Sequence, residues 1–373
     1  MDVVMWEPIF AVGDQGSDAP RPSGRLAGLP SYGRGRAGQG VVFAHRLGSN
    51  EAPDPPSAAI QAAVARAMAG AHRYPDLRGE MLVEALASRH GLPSDMIAVS
   101  AGSVTMLDQL VRAFCDPGDR VITAWRSYEA YPIIVGGAGA RLLEVPLDSD
   151  HRLDMAAILH ACRSQARVVI ICNPNNPTGT MLGPAELEAL LDAIPAQTLV
   201  ILDEAYADYA DEAGMIASSP ARRLSRHRNL VVLRTFSKAW GLAGMRVGYC
   251  LADRSIVAAA NTVAPPFPLP MTAQAAALAA LAEGDVVTAR ITASVEQRRR
   301  MSEGLAALGF QVALSKANFV WLAVGEEAGA LTLHLHAAGI AVRCFHGEGV
   351  RVTTGTAADT QALLTAAAAW MSR

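Results

Sequence analysis

Short apolar runs rich in β-branched residues recur along the first two thirds of the chain, each followed by a stretch of helical periodicity. They are Ile97-Ala-Val-Ser100, Arg120-Val-Ile-Thr123, Arg141-Leu-Leu-Glu-Val145, Arg167-Val-Val-Ile-Ile-Cys172, Thr198-Leu-Val-Ile-Leu202 and Leu230-Val-Val-Leu233. Continuous apolar runs between helices mark strands buried on both faces, so the pattern predicts an α/β fold with a three-layer, mainly parallel sheet. Pro265-Pro-Phe-Pro-Leu-Pro270 breaks the rhythm. Beyond it come alanine-rich helix, the apolar run Ala317 to Val324, short elements and a C-terminal helix. This predicts a large domain over 41–265 and a smaller α+β domain over 266–373. Residues Gly13 to Gly40 are rich in Gly, Pro, Ser and Arg without periodicity, so 1–40 reads as a partly flexible N-terminal arm.

Composition narrows the classes. A chain of 373 residues with 51% hydrophobic content can bury a large core. Its net charge of -3 argues against a nucleic-acid scaffold, and the one basic cluster, Arg298-Arg299-Arg300, falls in a helical stretch from about Ala289 to Leu308, where it reads as a solvated face. The five cysteines are widely spaced with no Cys-x-x-Cys pair, which fits reduced thiols in a cytoplasmic protein. Asp2 and Glu7 argue against a signal peptide, and no run of about eighteen apolar residues suggests a membrane span.

Lysine usage is the sharpest compositional signal. Of the 32 Lys and Arg residues only Lys238 and Lys316 are lysine. Arginine stays protonated and cannot do amine chemistry, so each lysine invites a reason. Lys238 follows the strand-like run 229–234 in Thr235-Phe-Ser-Lys-Ala-Trp-Gly-Leu-Ala-Gly-Met-Arg246, where its amine can form a Schiff base with a bound carbonyl compound. Lys316 precedes Ala317 to Val324 and reads as capping an exposed turn.

Three further signals fall at strand exits, where open parallel sheets place ligands. Val99-Ser-Ala-Gly-Ser-Val104 is a strand, a glycine turn and a helix start whose amides can bind phosphate. Cys172-Asn-Pro-Asn-Asn-Pro-Thr-Gly179 offers side-chain amides on a backbone fixed by two prolines. Asp203-Glu-Ala-Tyr206 places an acidic pair at a strand end, with no nearby His or Cys to complete a metal site.

Asn176, Asp203, Lys238 and Arg246 follow one another at spacings of 27, 35 and 8 positions. Together with Leu29-Pro-Ser-Tyr32, Asn50, Arg73-Tyr-Pro-Asp76, Ala317-Asn-Phe-Val320 and Arg351-Val-Thr-Thr-Gly355, they resemble the fold-type I pyridoxal-phosphate enzymes, specifically the class I/II aminotransferases. Within that family the chain is similar to the histidinol-phosphate branch and its aromatic amino acid aminotransferases, through Trp125-Arg-Ser-Tyr-Glu-Ala-Tyr-Pro132 and Gly102-Ser-Val104.

The resemblance implies pyridoxal 5'-phosphate on Lys238, which also moves the proton, with Asp203 on the pyridine nitrogen and Asn176 and Tyr206 on the 3'-oxygen. It implies Tyr128 stacked on the ring, Ser103, Val104, Ser237 and Arg246 on the phosphate, and Tyr74 reaching the phosphate of a neighbouring subunit in a homodimer. Arg351 is expected to clamp the substrate carboxylate, with Tyr32 and Asn50 on the substrate side and Arg343 as a second anion contact. The implied reaction is ping-pong transfer from an amino acid donor, aromatic by this resemblance, to a 2-oxo acid acceptor such as 2-oxoglutarate. Histidinol phosphate, or decarboxylation on the same scaffold, is the alternative.

Other readings fare worse. Gly136-Gly-Ala-Gly139 lacks the third glycine of a dinucleotide fingerprint and precedes a strand. His334 and His336 alternate on a helix, so they point apart. The first forty residues are too short and too rich in Gly and Pro for the DNA-binding segment of a ligand-sensing regulator. Gly33-Arg-Gly-Arg36 and the Pro265 to Pro270 run depart from the family's usual pattern, which leaves the substrate more open than the cofactor.

Overall fold

A computed structural model describes residues 22–30, 32, 42–210 and 220–373. Most of the expected arm lies outside these residues; within it, Gly24–Leu26 forms one 3-10 turn.

All six expected strands are present: β2 (Ile97–Ser100), β3 (Arg120–Trp125), β4 (Arg141–Pro146), β5 (Ala166–Cys172), β6 (Leu199–Asp203) and β7 (Leu230–Thr235). Before them comes the two-residue β1 (His45–Arg46). A seventh strand of the main sheet, β8 (Gly248–Ala252), was not anticipated. It runs antiparallel between β2 and β7, giving the order β2-β8-β7-β6-β5-β3-β4. Its apolar run Tyr249-Cys-Leu-Ala252 was hidden by the glycine-rich segment that precedes it.

Alternation along the strands builds two cores. Ile122, Val169, Ile171, Val200, Leu202 and Val232 face one helical layer, while Val121, Val168, Ile170, Ile201, Val231 and Leu233 face the other. Each strand is therefore apolar throughout because both its faces are covered. The edge strand β4 differs: Arg141 and Glu144 lie along it, which discourages pairing with another chain.

A third core lies behind a three-stranded antiparallel sheet of order β11-β12-β9, made of β9 (Phe319–Leu322), β11 (Arg343–Phe345) and β12 (Gly349–Thr353). Beside it β1 pairs in parallel with β10 (Ile340–Ala341), so residues 45 and 46 join the C-terminal layer and not the main sheet. The helix after the proline run, Met271–Leu281, returns to the first core through Ala273, Ala276, Ala277 and Ala280. The long helix Gly284–Ala307 then spans two cores, with Val287 in the first and Met301 and Leu305 in the third.

Two expectations about charged residues are corrected. Arg298 is not on a solvated face: it is buried, and its Nη1 donates to Tyr209 O at 3.0 Å and Ala317 O at 2.9 Å. Only Arg299 of the triplet is exposed, pairing with Glu296 and Glu303 on its own helix. Lys316 is half-buried, and its backbone N–H donates to Gly179 O at 2.8 Å. His334 and His336 form no metal site, and among the described residues no group of His, Cys, Asp or Glu could hold an ion. Among them too, no helix is long and apolar enough to cross a membrane.

Arg298→Met keeps the bulk of the side chain but strands two buried carbonyls, so it is expected to lower unfolding stability by about 2 kcal/mol. Urea denaturation measures this, with Arg299→Ala as a control whose midpoint should not move. Equal midpoints for the two variants would show that Arg298 bears no structural weight.

Candidate active site

The strands β5, β6 and β7 run parallel, so their C-terminal exits lie side by side. Asp203 ends β6, Asn173–Thr178 follows β5, and Lys238 follows β7. Residues from the small sheet approach the same place.

The Lys238 amine donates to Asn50 O at 3.1 Å and Ser49 O at 3.3 Å and lies 5.7 Å from the centre of the Tyr206 ring. Burial pushes its pKa down to about 7; the charges of Arg351 and Arg246 act in the same direction, against Glu51 and Asp203. Asp203 is buried, and its Oδ2 accepts from the Tyr131 hydroxyl at 2.9 Å and its Oδ1 from Ala205 N–H at 3.2 Å. Burial raises its pKa, while these two hydrogen bonds and the Lys238 charge pull it back. It has no salt bridge among the described residues.

Arg351, on β12, crosses from the small sheet. Its Nη1 donates to Asn176 Oδ1 at 2.6 Å and its Nη2 to Gly48 O at 2.7 Å. Its Nε is buried and has no hydrogen-bond partner in the structure. The guanidinium lies 5.4 Å from the Phe319 ring centre and 5.9 Å from that of Phe345. Asn50, held in the left-handed region at φ 54°, donates from Nδ2 to the Tyr206 hydroxyl at 2.9 Å. Its Oδ1 accepts from the Thr353 hydroxyl at 2.9 Å.

A separate corner gathers groups suited to an anion. Ser103 begins a 12-residue helix, whose first amides have no acceptor within the helix. Arg246, also left-handed at φ 56°, donates from Nη1 to Ser237 Oγ at 3.3 Å and Ala243 O at 3.0 Å. Two glycines make this approach possible. A Cβ on Gly102 (φ +91°) would lie 2.6 Å from Arg246 Nη2, and one on Gly248 would lie 2.1 Å from Ser103 N. Val104, the next helical residue, is half-buried against the second core.

The structure thus brings together Asn50, Asn176, Asp203, Tyr206, Ser237, Lys238, Arg246 and Arg351. Tyr128 stands edge-on to Tyr131 at 5.6 Å, and Tyr32 edge-on to Tyr128 at 6.3 Å. Two further expected residues lie apart from these groups, Tyr74 as its expected role toward a neighbouring subunit requires. Tyr74 is 81% exposed and stacks on Phe267 at 4.6 Å, outside this cluster. Arg343 faces a carboxylate, Glu129, with Nη2 2.9 Å from both oxygens. The reading missed Glu129, the Tyr131 hydroxyl and Thr353. All three lie inside segments singled out in the sequence, but nothing there announces their partners.

A fold with three layers and a lysine, a carboxylate and an arginine gathered at the sheet's C-terminal exits defines an enzyme that handles amines through a bound carbonyl group. The sequence pattern of the family "Aminotransferase class I and II" matches residues 45–368, and the chain belongs to that family. It is 43% identical over 349 residues to an aromatic amino acid aminotransferase of Rhodococcus jostii (strain RHA1), covering 92% of this chain and 94% of that one. A Streptomyces coelicolor protein of the same description is 43% identical over 339 residues, covering 90% and 94%. Among solved structures, a histidinol-phosphate aminotransferase from Sinorhizobium meliloti in complex with pyridoxal-5'-phosphate superposes with a TM-score of 0.87 at 30% identity, covering 95% of this chain and 99% of that one.

The depressed Lys238 amine has a thermodynamic signature. Between its folded value of about 7 and the unfolded value of about 10.4, the unfolded chain binds the extra proton, so stability rises with pH across that window. Below it the buried amine is a full liability. Lys238→Met in cofactor-free protein is expected to unfold at a higher temperature than the parent at about pH 6, with the gain shrinking toward about pH 10. Melting curves across this range check it, and a gain that grows with pH would contradict the burial argument.

Proposed function

We propose that this aminotransferase carries pyridoxal 5'-phosphate on Lys238 and moves the amino group of an aromatic amino acid to 2-oxoglutarate, in the cytoplasm, as a homodimer. One observation carries the reading. The Lys238 amine, depressed to about 7, shares a cluster with an arginine whose buried Nε has no partner and whose guanidinium lies among aromatic rings. Relatives described as aromatic amino acid aminotransferases support the donor class.

The residues fit the cofactor. The corner formed by the Ser103 and Val104 amides, Ser237 and Arg246 suits a phosphate, and the close approach seen at Gly102 and Gly248 leaves no room for a Cβ. Asp203, a buried carboxylate without a salt bridge, suits a protonated ring nitrogen. Asn176 and Tyr206 suit the 3'-oxygen and Tyr128 the ring face. When bound, the cofactor supplies an electron sink for the substrate's α-carbon.

The chain's own groups do the rest. Asp203 keeps a proton on the ring nitrogen. The Lys238 amine, its pKa lowered to about 7, would take a proton from the substrate α-carbon and return it on the same face. Arg351 presents Nε and Nη donors to the substrate carboxylate, with Asn50 and Tyr32 on the substrate side. Donor and acceptor use one pocket in turn, which makes the kinetics ping-pong.

A side-by-side assay of phenylalanine, tyrosine and histidinol phosphate with 2-oxoglutarate tests the substrate. The aromatic donors are expected to give the higher kcat/KM. A strong preference for histidinol phosphate would overturn the ranking, and carbon dioxide release without oxo-acid formation would overturn transamination.

The exposed Tyr74–Phe267 stack supports a shared dimer site, because Tyr74 has no role in its own chain's cluster. Mixing Tyr74→Ala subunits with Lys238→Ala subunits is expected to restore one working site per heterodimer. No recovery after confirmed subunit exchange would place Tyr74 outside the site.

A further inference from the structure

Thr353 has no role in the reading above, yet its hydroxyl bonds twice to Asn50, and the direction of each bond is determined. Thr353 lies on β12 and is 1% exposed. The Asn50 backbone N–H can only donate, and it reaches Thr353 Oγ1 at 2.9 Å. Oγ1 accepts there and directs its own proton at Asn50 Oδ1, also at 2.9 Å. With Oδ1 held as an acceptor, the nitrogen end of the amide faces Tyr206, and Nδ2 donates to the Tyr206 oxygen at 2.9 Å. The opposite amide orientation would leave the buried Thr353 proton without an acceptor among the described residues and would spend the Tyr206 proton on Asn50. The backbone of Asn50 is fixed as well, since its carbonyl accepts from Asn318 Nδ2 at 3.3 Å.

Tyr206 is pinned from the same sheet. Phe319, directly opposite Thr353 in the β9–β12 register, meets its ring edge-on at 5.1 Å. Burial raises the Tyr206 pKa above the ordinary phenol value, so the hydroxyl keeps its proton. An oxygen that accepts from Asn50 has that proton left to give elsewhere. We infer that Thr353 is a positioning residue that sets the direction of this hydrogen-bond chain, so that Tyr206 donates its proton to the cofactor's 3'-oxygen and does not accept one there. The inference rests on the reading that Tyr206 meets the 3'-oxygen. A donor on that oxygen stabilises its negative charge and weakens its hold on the proton of the Schiff base at Lys238, which makes the Schiff base less basic.

The visible spectrum of cofactor-loaded protein, titrated with pH, reads the proton on the Lys238 Schiff base. Arg351, Arg246, Glu51 and Asp203 also act on this nitrogen, and they are common to every variant below. Thr353→Val nearly keeps the shape of the side chain and removes the hydroxyl, so the midpoint is expected to rise by about one pH unit, on the scale of one charge-assisted hydrogen bond. Thr353→Ser retains the hydroxyl and should keep the parent midpoint. Tyr206→Phe should raise the midpoint at least as far as Thr353→Val, and combining the two should raise it no further than Tyr206→Phe alone. A parent-like midpoint in folded Thr353→Val, an equal rise in Thr353→Ser, or a further rise in the double variant would defeat the inference. If Thr353→Val does not fold, Thr353→Ala takes its place with the same expectations. Tyr206→Phe separates the two claims. If it leaves the midpoint unmoved, Tyr206 does not serve the 3'-oxygen and both fall; if it raises the midpoint while Thr353→Val does not, only the role of Thr353 falls.

Discussion

Arg351 must remain charged while buried, and the site is organised around that demand. A guanidinium taken out of water needs acceptors from protein, and Arg351 finds them on Asn176 after β5 and on the Gly48 carbonyl beside β1. Two segments far apart in sequence are thereby tied to β12. Thr353, two residues further along the same strand, secures Asn50, and Asn50 secures Tyr206. The small sheet and the large one are thus registered against each other by buried polar contacts, whose directionality fixes geometry more sharply than apolar packing does.

That arrangement also sets the chemistry of the lysine. Lys238 is buried within the electrostatic reach of Arg351 and Arg246, so three cations share a small region with two carboxylates, Glu51 and Asp203. The lysine is the group that yields, because an amine can release its proton and a guanidinium cannot. Scarcity of lysine elsewhere in the chain and depression of this one are separate observations. Both single out the same residue, Lys238.

Much of this was legible in the sequence for a physical reason. Buried parallel strands announce themselves as unbroken apolar runs, and all six expected strands are there. Asp203, Asn176, Lys238 and Ser237 stood out because each ends or follows a strand among turn-forming residues, and Arg246 because it closes the glycine-containing segment eight positions after Lys238. β8 escaped because Val247-Gly248 follows a glycine-rich loop, and its glycine serves a tertiary need, the close approach of the Ser103 amide. The Arg298 triplet misled because helical position alone does not tell which of three consecutive arginines turns inward; the choice is made by the carbonyls of Tyr209 and Ala317, from distant segments. Gly48's carbonyl was invisible in principle, since every residue has one.

The acidic pair at the end of β6 shows how neighbouring carboxylates acquire different roles. Asp203 and Glu204 are adjacent, so at a strand end they leave on opposite sides. Glu204 meets Arg223 Nη1 at 2.8 Å and Arg234 Nε at 2.8 Å, in a buried network that Asp208 extends. Its charge is spent on structure. Asp203 meets a neutral hydroxyl and a backbone N–H, so its charge is solvated without being cancelled. A carboxylate held this way can still answer a cation brought by a ligand, whereas one between two arginines cannot. The strand's alternation separates the acid cancelled by arginines from the one left without a cation, and the arginines behind Glu204 anchor the chain beside Asp203.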